Sequence, residues 1–213
     1  MGDRDNHRNA PARRSGQSSG SNGVKIGIIG AGSVGIGIGA RLAAKGHDVV
    51  VSFAHIPEKV ARAAAAIGGG ARAGSPEEAA AHGDVVIFAP PWSVTLDVVR
   101  QIAEALSGKL VWDTTNPLKT DMSGLAIGLT TSAGEEIAKA ATTAIVVKAV
   151  PPFAELLQSP PAAIDGHRPG VFVCGDDPAA RAMILSSLPF DIPLHRAIVD
   201  HVIAMARNAE PRR

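Results

Sequence analysis

The residues best placed to do chemistry in this chain are neither nucleophiles nor acids but the glycines of Gly30-Ala31-Gly32-Ser33-Val34-Gly35. They directly follow the apolar run Val24–Ile29 and open an Ala-rich segment that runs towards Lys45. At such a strand-to-helix junction the first glycine permits a tight turn, the second lets backbone approach a pyrophosphate, and the third lets the helix pack closely on the strand. The helix N-terminus adds unpaired N–H groups and the positive end of its dipole, and the Ser33 hydroxyl offers one more hydrogen bond. The spacing therefore predicts a cradle for the phosphates of a dinucleotide, with Gly30, Gly32, Ser33, Val34 and Gly35 as its contacts. Gly37 and Gly39 fall outside the motif, and a glycine weakens a helix by about 1 kcal/mol relative to Ala. Close packing and ligand approach are both open readings for them.

The kind of dinucleotide depends on the end of the second strand. An NAD site usually carries Asp or Glu there, about 20 residues after the glycines, to hold the ribose 2′-hydroxyl. Here the chain reads Val51-Ser52-Phe53-Ala54-His55, with no carboxylate. Ser52, His55 and Lys59 are polar or cationic groups able to receive a 2′-phosphate, so NADP(H) is the expected cofactor. No arginine, the best bidentate phosphate partner, stands in this turn.

These groups have to be positioned by strands and helices, and the pattern of the rest of the chain supplies both. The strand candidates are Val24–Ile29, Val49–Phe53, Val85–Ala89, Leu110–Asp113 and Ile145–Val150, separated by segments of helical length. Their runs are apolar on both faces rather than alternating, as strands covered on both sides by helices require. The expected fold is α/β, a Rossmann-type doubly wound parallel sheet with a small C-terminal α/β extension. Ser75-Pro76-Glu77-Glu78 reads as a helix start, with a capping hydroxyl, a first-turn proline and a carboxylate at the third helical position. Residues 1–23 hold no Val, Ile, Leu or aromatic side chain, and are expected to be a disordered tail. The nucleotide-binding domain is then 24–150. A smaller unit, 151–213, is expected after the breaks at Pro151-Pro152 and Pro160-Pro161, with a strand at Val171–Cys174 and a helix at Pro178–Leu188.

Composition excludes several classes. The net charge of +1 is spread without a basic stripe, so nucleic acid is not an expected partner. No apolar run approaches the roughly 20 residues of a membrane-spanning helix, and the N-terminus has no apolar signal segment. A single cysteine, Cys174, rules out an internal disulfide framework and suits a reducing, cytoplasmic setting. Within Val171-Phe172-Val173-Cys174 it is expected to be buried packing. The chain has no Gly-x-Ser-x-Gly elbow, no Walker phosphate loop and no His-Glu-x-x-His metal helix.

The glycine motif is followed by Gly46-His47-Asp48-Val49-Val50-Val51-Ser52, then Phe88-Ala89-Pro90-Pro91-Trp92, Asp113-Thr114-Thr115-Asn116-Pro117-Leu118 and Val146-Val147-Lys148-Ala149. In this order and spacing the chain resembles the NADPH-dependent deazaflavin-coenzyme (coenzyme F-420) reductase family over residues 24–188. The resemblance implies hydride transfer between NADP(H) and a deazaflavin held face to face with it, and a homodimer. It departs from the family at Phe53-Ala54-His55, where a Ser/Arg-rich phosphate turn is usual, at Val150-Pro151, and in a short C-terminal portion.

Ligands of parallel sheets sit beyond the carboxyl ends of the strands. Ala89, Pro90 and Trp92 are therefore expected to line the nucleotide cleft, and Asn116 and Pro117 to lie near its nicotinamide end. Core packing for Trp92 and a plain turn for Asn116 are the alternatives. No catalytic side chain and no metal are expected, since hydride moving directly between two rings needs orientation more than a proton donor. Two other functions fit the residues: an NADP-binding reductase with an imine, carbonyl or flavin acceptor, and a non-catalytic nucleotide-binding module. The first would make His195, His167 and Lys148 candidate proton donors, with a structural role as the alternative for each.

Overall fold

Short Val- and Ile-rich runs need partners for their backbone groups. In the computed structural model of the chain, which describes residues 23–52, 57–128, 130–149 and 172–187, they find them in one sheet. The strands are β1 (Lys25–Ile29), β2 (Asp48–Ser52), β3 (Arg72–Ala73), β4 (Val85–Phe88), β5 (Leu110–Asp113), β6 (Ile145–Ala149) and β7 (Val173–Cys174). They lie in the order β3-β2-β1-β4-β5-β6-β7. Strands β1 to β6 run parallel, and β7 adds antiparallel to β6. The order reverses between β1 and β4, which makes their carboxyl ends the switch point where α/β sheets bind ligands.

Among the described residues six α-helices cover the sheet: α1 (Ser33–Ala44), α2 (Pro57–Ile67), α3 (Pro76–His82), α4 (Trp92–Gln101), α5 (Ala133–Ala140) and α6 (Pro178–Ser187). Ile38 and Leu42 of α1, Val60 and Ile67 of α2, and Ile184 of α6 bury one face together with Ile26, Ile28 and Val51. Ala79 and Ala80 of α3, Val98 and Val99 of α4, and Ile137 of α5 bury the other with Ile29, Val86 and Phe88. This two-sided burial is why the strand runs do not alternate. The Rossmann-type α/β reading holds. Among the described residues no helix is long and apolar enough to cross a membrane.

Strand boundaries shift by a residue at most within the described range. Val24 precedes β1 and donates its N–H to His47 Nδ1 at 3.1 Å. Ala89 falls just past β4, while Phe53 and Val150 lie outside the described residues. So do the expected tail up to residue 22 and the proline breaks at 151–152 and 160–161.

Cys174 is a correction, because it is exposed rather than buried. As the sheet's antiparallel edge, β7 has one face against α6, so the alternation of a half-covered strand applies: Val173 is buried, and Phe172 and Cys174 are not.

One helix start can be tested directly. The Ser75 hydroxyl accepts the Glu78 N–H at 3.1 Å, and the Glu78 carboxylate accepts the Ser75 N–H at 2.7 Å, a complete capping box on a helix of seven residues. Ser75→Ala is expected to lower stability by about 1 kcal/mol, read as an earlier midpoint in urea unfolding with an unchanged slope.

Candidate functional site

Gly30 takes φ +135°, open to glycine but not to side chains, and a Cβ there would lie 2.5 Å from the Ala89 carbonyl. The chain therefore turns sharply at the carboxyl end of β1 while staying against the end of β4. Hydrogen bonds stitch these ends together: Gly30 N–H to Ser52 O at 3.0 Å, Ala89 N–H to Ile29 O at 2.8 Å, and Thr114 N–H to Phe88 O at 2.9 Å. They form a continuous rim from β2 to β5.

On that rim the three motif glycines do separate things. A Cβ on Gly35 would run into the Gly30 carbonyl oxygen and would meet the Ile28 side chain at 3.2 Å, so α1 can lie against β1 only without it. Gly32 is exposed, and a Cβ there would meet nothing within 4 Å. As the N-cap of α1 it supplies no side-chain cap to the helix's first N–H groups. Ser33 is exposed beside it and Val34 half-buried. A helix start with uncapped donors and free space before it suits a pyrophosphate, so a dinucleotide fits this part of the chain. Gly39 resolves one open reading: a Cβ there would sit 2.9 Å from carbons of Ile28 and Ile67, so it serves packing between α1, β1 and α2. Gly37 is also buried.

At the second-strand end Ser52 is fully buried, and its hydroxyl has no hydrogen-bond partner among the described residues. It faces the side of the sheet that carries Val50, by strand alternation. Lys59 is exposed in the first turn of α2. His55 lies outside the described residues. No carboxylate replaces the one an NAD site would carry at this strand end, where Ser52 is the last residue of β2.

Beyond β4, Ala89 is half-buried and Pro90 buried. Trp92, the first residue of α4, is half-buried against the core on the α4 side, as its packing reading expected, and it also lines an open cavity. That cavity, about 500 Å³, lies between the start of α4 and the loop after β5. Asn116 is exposed in that loop and its carbonyl accepts the Leu118 N–H at 2.7 Å, while Pro117 is half-buried. In the same loop Asp121 accepts the Ser123 N–H at 3.0 Å. That backbone bond, with help from the Ser123 hydroxyl, holds its carboxyl below the ordinary carboxylate range.

The loop is anchored by a group that composition alone did not single out. Asp113 is fully buried at the end of β5, and its carboxylate accepts the Thr115 N–H at 2.8 Å, the Thr115 hydroxyl at 2.7 Å and Lys148 Nζ at 2.8 Å. Lys148 Nζ also donates to the Thr115 carbonyl at 2.6 Å. Of the three candidate proton donors, Lys148 is thus held in a structural pair, and His167 and His195 lie outside the described residues. The readable signal was an Asp at a strand end and a Lys at the end of the next. Their meeting follows from β5 and β6 pairing in register, Asp113 opposite Lys148.

Residues 25–117 match the family described as NADP oxidoreductase, coenzyme F420-dependent. The match spans the glycine motif, the β4 end and Asn116-Pro117, while Leu118 and Val146-Val147-Lys148-Ala149, which also carried the resemblance, lie beyond it. A solved protein from Arthrobacter sp. FB24, described as a candidate F420-dependent NADP-reductase, is 28% identical with a TM-score of 0.66 over 77% of this chain and 79% of its own. A hypothetical protein from Sinorhizobium meliloti is 25% identical with a TM-score of 0.66, covering 78% and 82%. An imine reductase from Streptomyces aurantiacus, 18% identical with a TM-score of 0.54 over 76% of this chain and 50% of its own, shares the fold. The chain has the fold of an NADP-dependent oxidoreductase.

Proposed function

We propose that this protein transfers hydride between NADPH and a deazaflavin acceptor of the coenzyme F420 type. The observation that carries the reading is the phosphate cradle: an exposed Gly32 with open space before it, at the uncapped start of α1, inside the segment that matches the F420-dependent family. Bound there, NADPH supplies the hydride. Gly30, Gly32 and the first N–H groups of α1 hold the phosphates and set the register of the molecule along the rim. Trp92, Asn116 and Pro117 border the far end of that rim, beyond β4 and β5, where the acceptor meets the nucleotide. The chain's task is to hold two flat rings together and keep water out, so no residue needs to act as acid or base.

The lack of a carboxylate at the end of β2 supports NADPH over NADH, with exposed Lys59 as the cation nearest in sequence for the 2′-phosphate. The test is titration of the purified protein with each nucleotide by its fluorescence, followed by NADPH oxidation with the deazaflavin coenzyme as acceptor. NADPH is expected to bind at least 10-fold more tightly than NADH, and turnover to reach roughly 1 per second or more. Binding without turnover would exclude the deazaflavin, and oxidation only with an imine, carbonyl or flavin would move the assignment to that acceptor. Absence of binding by either nucleotide would overturn the reading entirely.

A further inference from the structure

The chain between β5 and α5 changes character at a single step. Thr114 and Thr115 are buried, and Thr115 is gripped by Asp113 and Lys148. From Asn116 to Ala126 no residue is buried, and none belongs to the apolar core on either side of the sheet. The segment is nevertheless well bonded to itself. Lys119 N–H donates to Gly124 O at 2.9 Å, Met122 N–H to Lys119 O at 2.9 Å, Ala126 N–H to Pro117 O at 2.7 Å, and Ser123 N–H to the Asp121 carboxylate at 3.0 Å. Leu118 and Leu125 pair across it. Met122 closes the turn at φ +60°, a conformation that a non-glycine residue keeps only where its surroundings hold it.

Among the described residues, every hydrogen bond made by 116–126 ends within 116–126. A segment that is stiff inside and unbonded to the body of the protein moves as one piece about its two ends. The entry end is the step from the gripped Thr115 to the exposed Asn116. The exit end holds Gly128, exposed and at φ +146°, where the backbone turns without the hindrance of a Cβ. One side of the segment faces the start of α4 across the open cavity of about 500 Å³, with Leu118, Lys119 and Ala126 opposite Trp92 and Ser93.

We propose that residues 116–126 are a flap beside the dinucleotide site, which swings towards α4 when NADPH binds and brings Leu118 and Ala126 up to Trp92. This rests on the nucleotide reading above. A ligand closes such a flap only by binding the closed form better. The Lys119 ammonium supplies that difference: it makes no hydrogen bond or ion pair to the described residues, lies on the moving wall, and is drawn to the anionic nucleotide. Closure shields the carboxyl ends of β4 and β5 from water.

The peptide bond after Lys119 joins two exposed residues, so trypsin reaches it while the flap is open. The cut at Lys119 is followed by mass spectrometry with and without saturating NADPH, and tryptophan emission is recorded on the same samples without trypsin. Trp112, the other tryptophan, is buried and supplies the background, measured in Trp92→Phe. In wild type NADPH is expected to slow the cut about 10-fold, as a ten-to-one excess of closed over open flap requires, and to move Trp92 emission to shorter wavelength. Ala126→Gln places a longer polar side chain on the wall that must meet Trp92, at an exposed position seven residues from the cut. It is expected still to bind NADPH by nucleotide fluorescence, to be cut at the nucleotide-free rate and to show no emission shift. Protection that persists in Ala126→Gln means that the nucleotide itself covers Lys119, and overturns the flap. NADPH bound to wild type without protection also overturns the flap and leaves the nucleotide reading standing. Absence of NADPH binding overturns both.

Discussion

Gly32→Val is expected to fold as the wild-type protein does and to bind NADPH on the order of 100-fold more weakly, a loss of about 2.7 kcal/mol. The reason is the contrast between two glycines three positions apart. A Cβ on Gly32 enters open space in front of α1 and touches nothing in the chain within 4 Å, so only a ligand can object to it. A Cβ on Gly35 collides with the Gly30 carbonyl oxygen, which is backbone and cannot move without displacing the end of β1. Gly35→Val is accordingly expected to yield insoluble or unfolded protein. Circular dichroism melting and nucleotide titration on the two variants separate the roles. A Gly32→Val protein that is folded and binds NADPH normally would place the phosphates elsewhere.

The second large effect is expected from Lys148→Met. Its ammonium, about one-quarter exposed, is the only charged group among the described residues that reaches the buried Asp113 carboxylate. Removing one partner of a buried pair strands the other charge, at a cost of about 3 kcal/mol. For a chain of this size that is a fall in melting temperature of roughly 6–12 °C. Asp113→Asn in the same protein keeps an oxygen for the Thr115 N–H and hydroxyl while removing the stranded charge. The double variant is therefore expected to recover part of the loss, a coupling read directly from a double-mutant cycle. Because the pair grips Thr115 from both its N–H and its carbonyl side, Lys148→Met is also expected to weaken binding of the acceptor that we propose to lie beside Asn116 and Pro117, beyond what lost stability explains. Additive losses in the cycle would mean that the two side chains do not act as a pair.

The parts of this site that could be read in advance are those set by local spacing. Gly30, Gly32 and Gly35 are close in sequence, and each has its own steric reason, so their roles follow from the turn they make. The same is true of Ser75 and Glu78, which meet across a single helical turn. The parallel sheet was legible because strands covered on both faces must be apolar throughout, as Val85–Phe88 is.

Other features depended on groups distant in the chain. Cys174 looked like core because its run is apolar, but whether one face or both are covered is decided by neighbours, and β7 proves to be an edge. Gly39 gained its reason from Ile67, a residue of the next helix. Ser52 was expected to reach a phosphate, and its register on β2 turns it into the interior instead.

Local spacing and the 2′-end chemistry thus sufficed for the kind of fold and for the expectation of a phosphate cradle that takes NADP(H), because backbone sterics and capping act over a few residues. The pairing of Asp113 with Lys148 and the cavity between Trp92 and Lys119 came only with the sheet. Each unites residues 27 to 35 positions apart in sequence, and only the adjacency of β4, β5 and β6 brings their carboxyl ends to one rim.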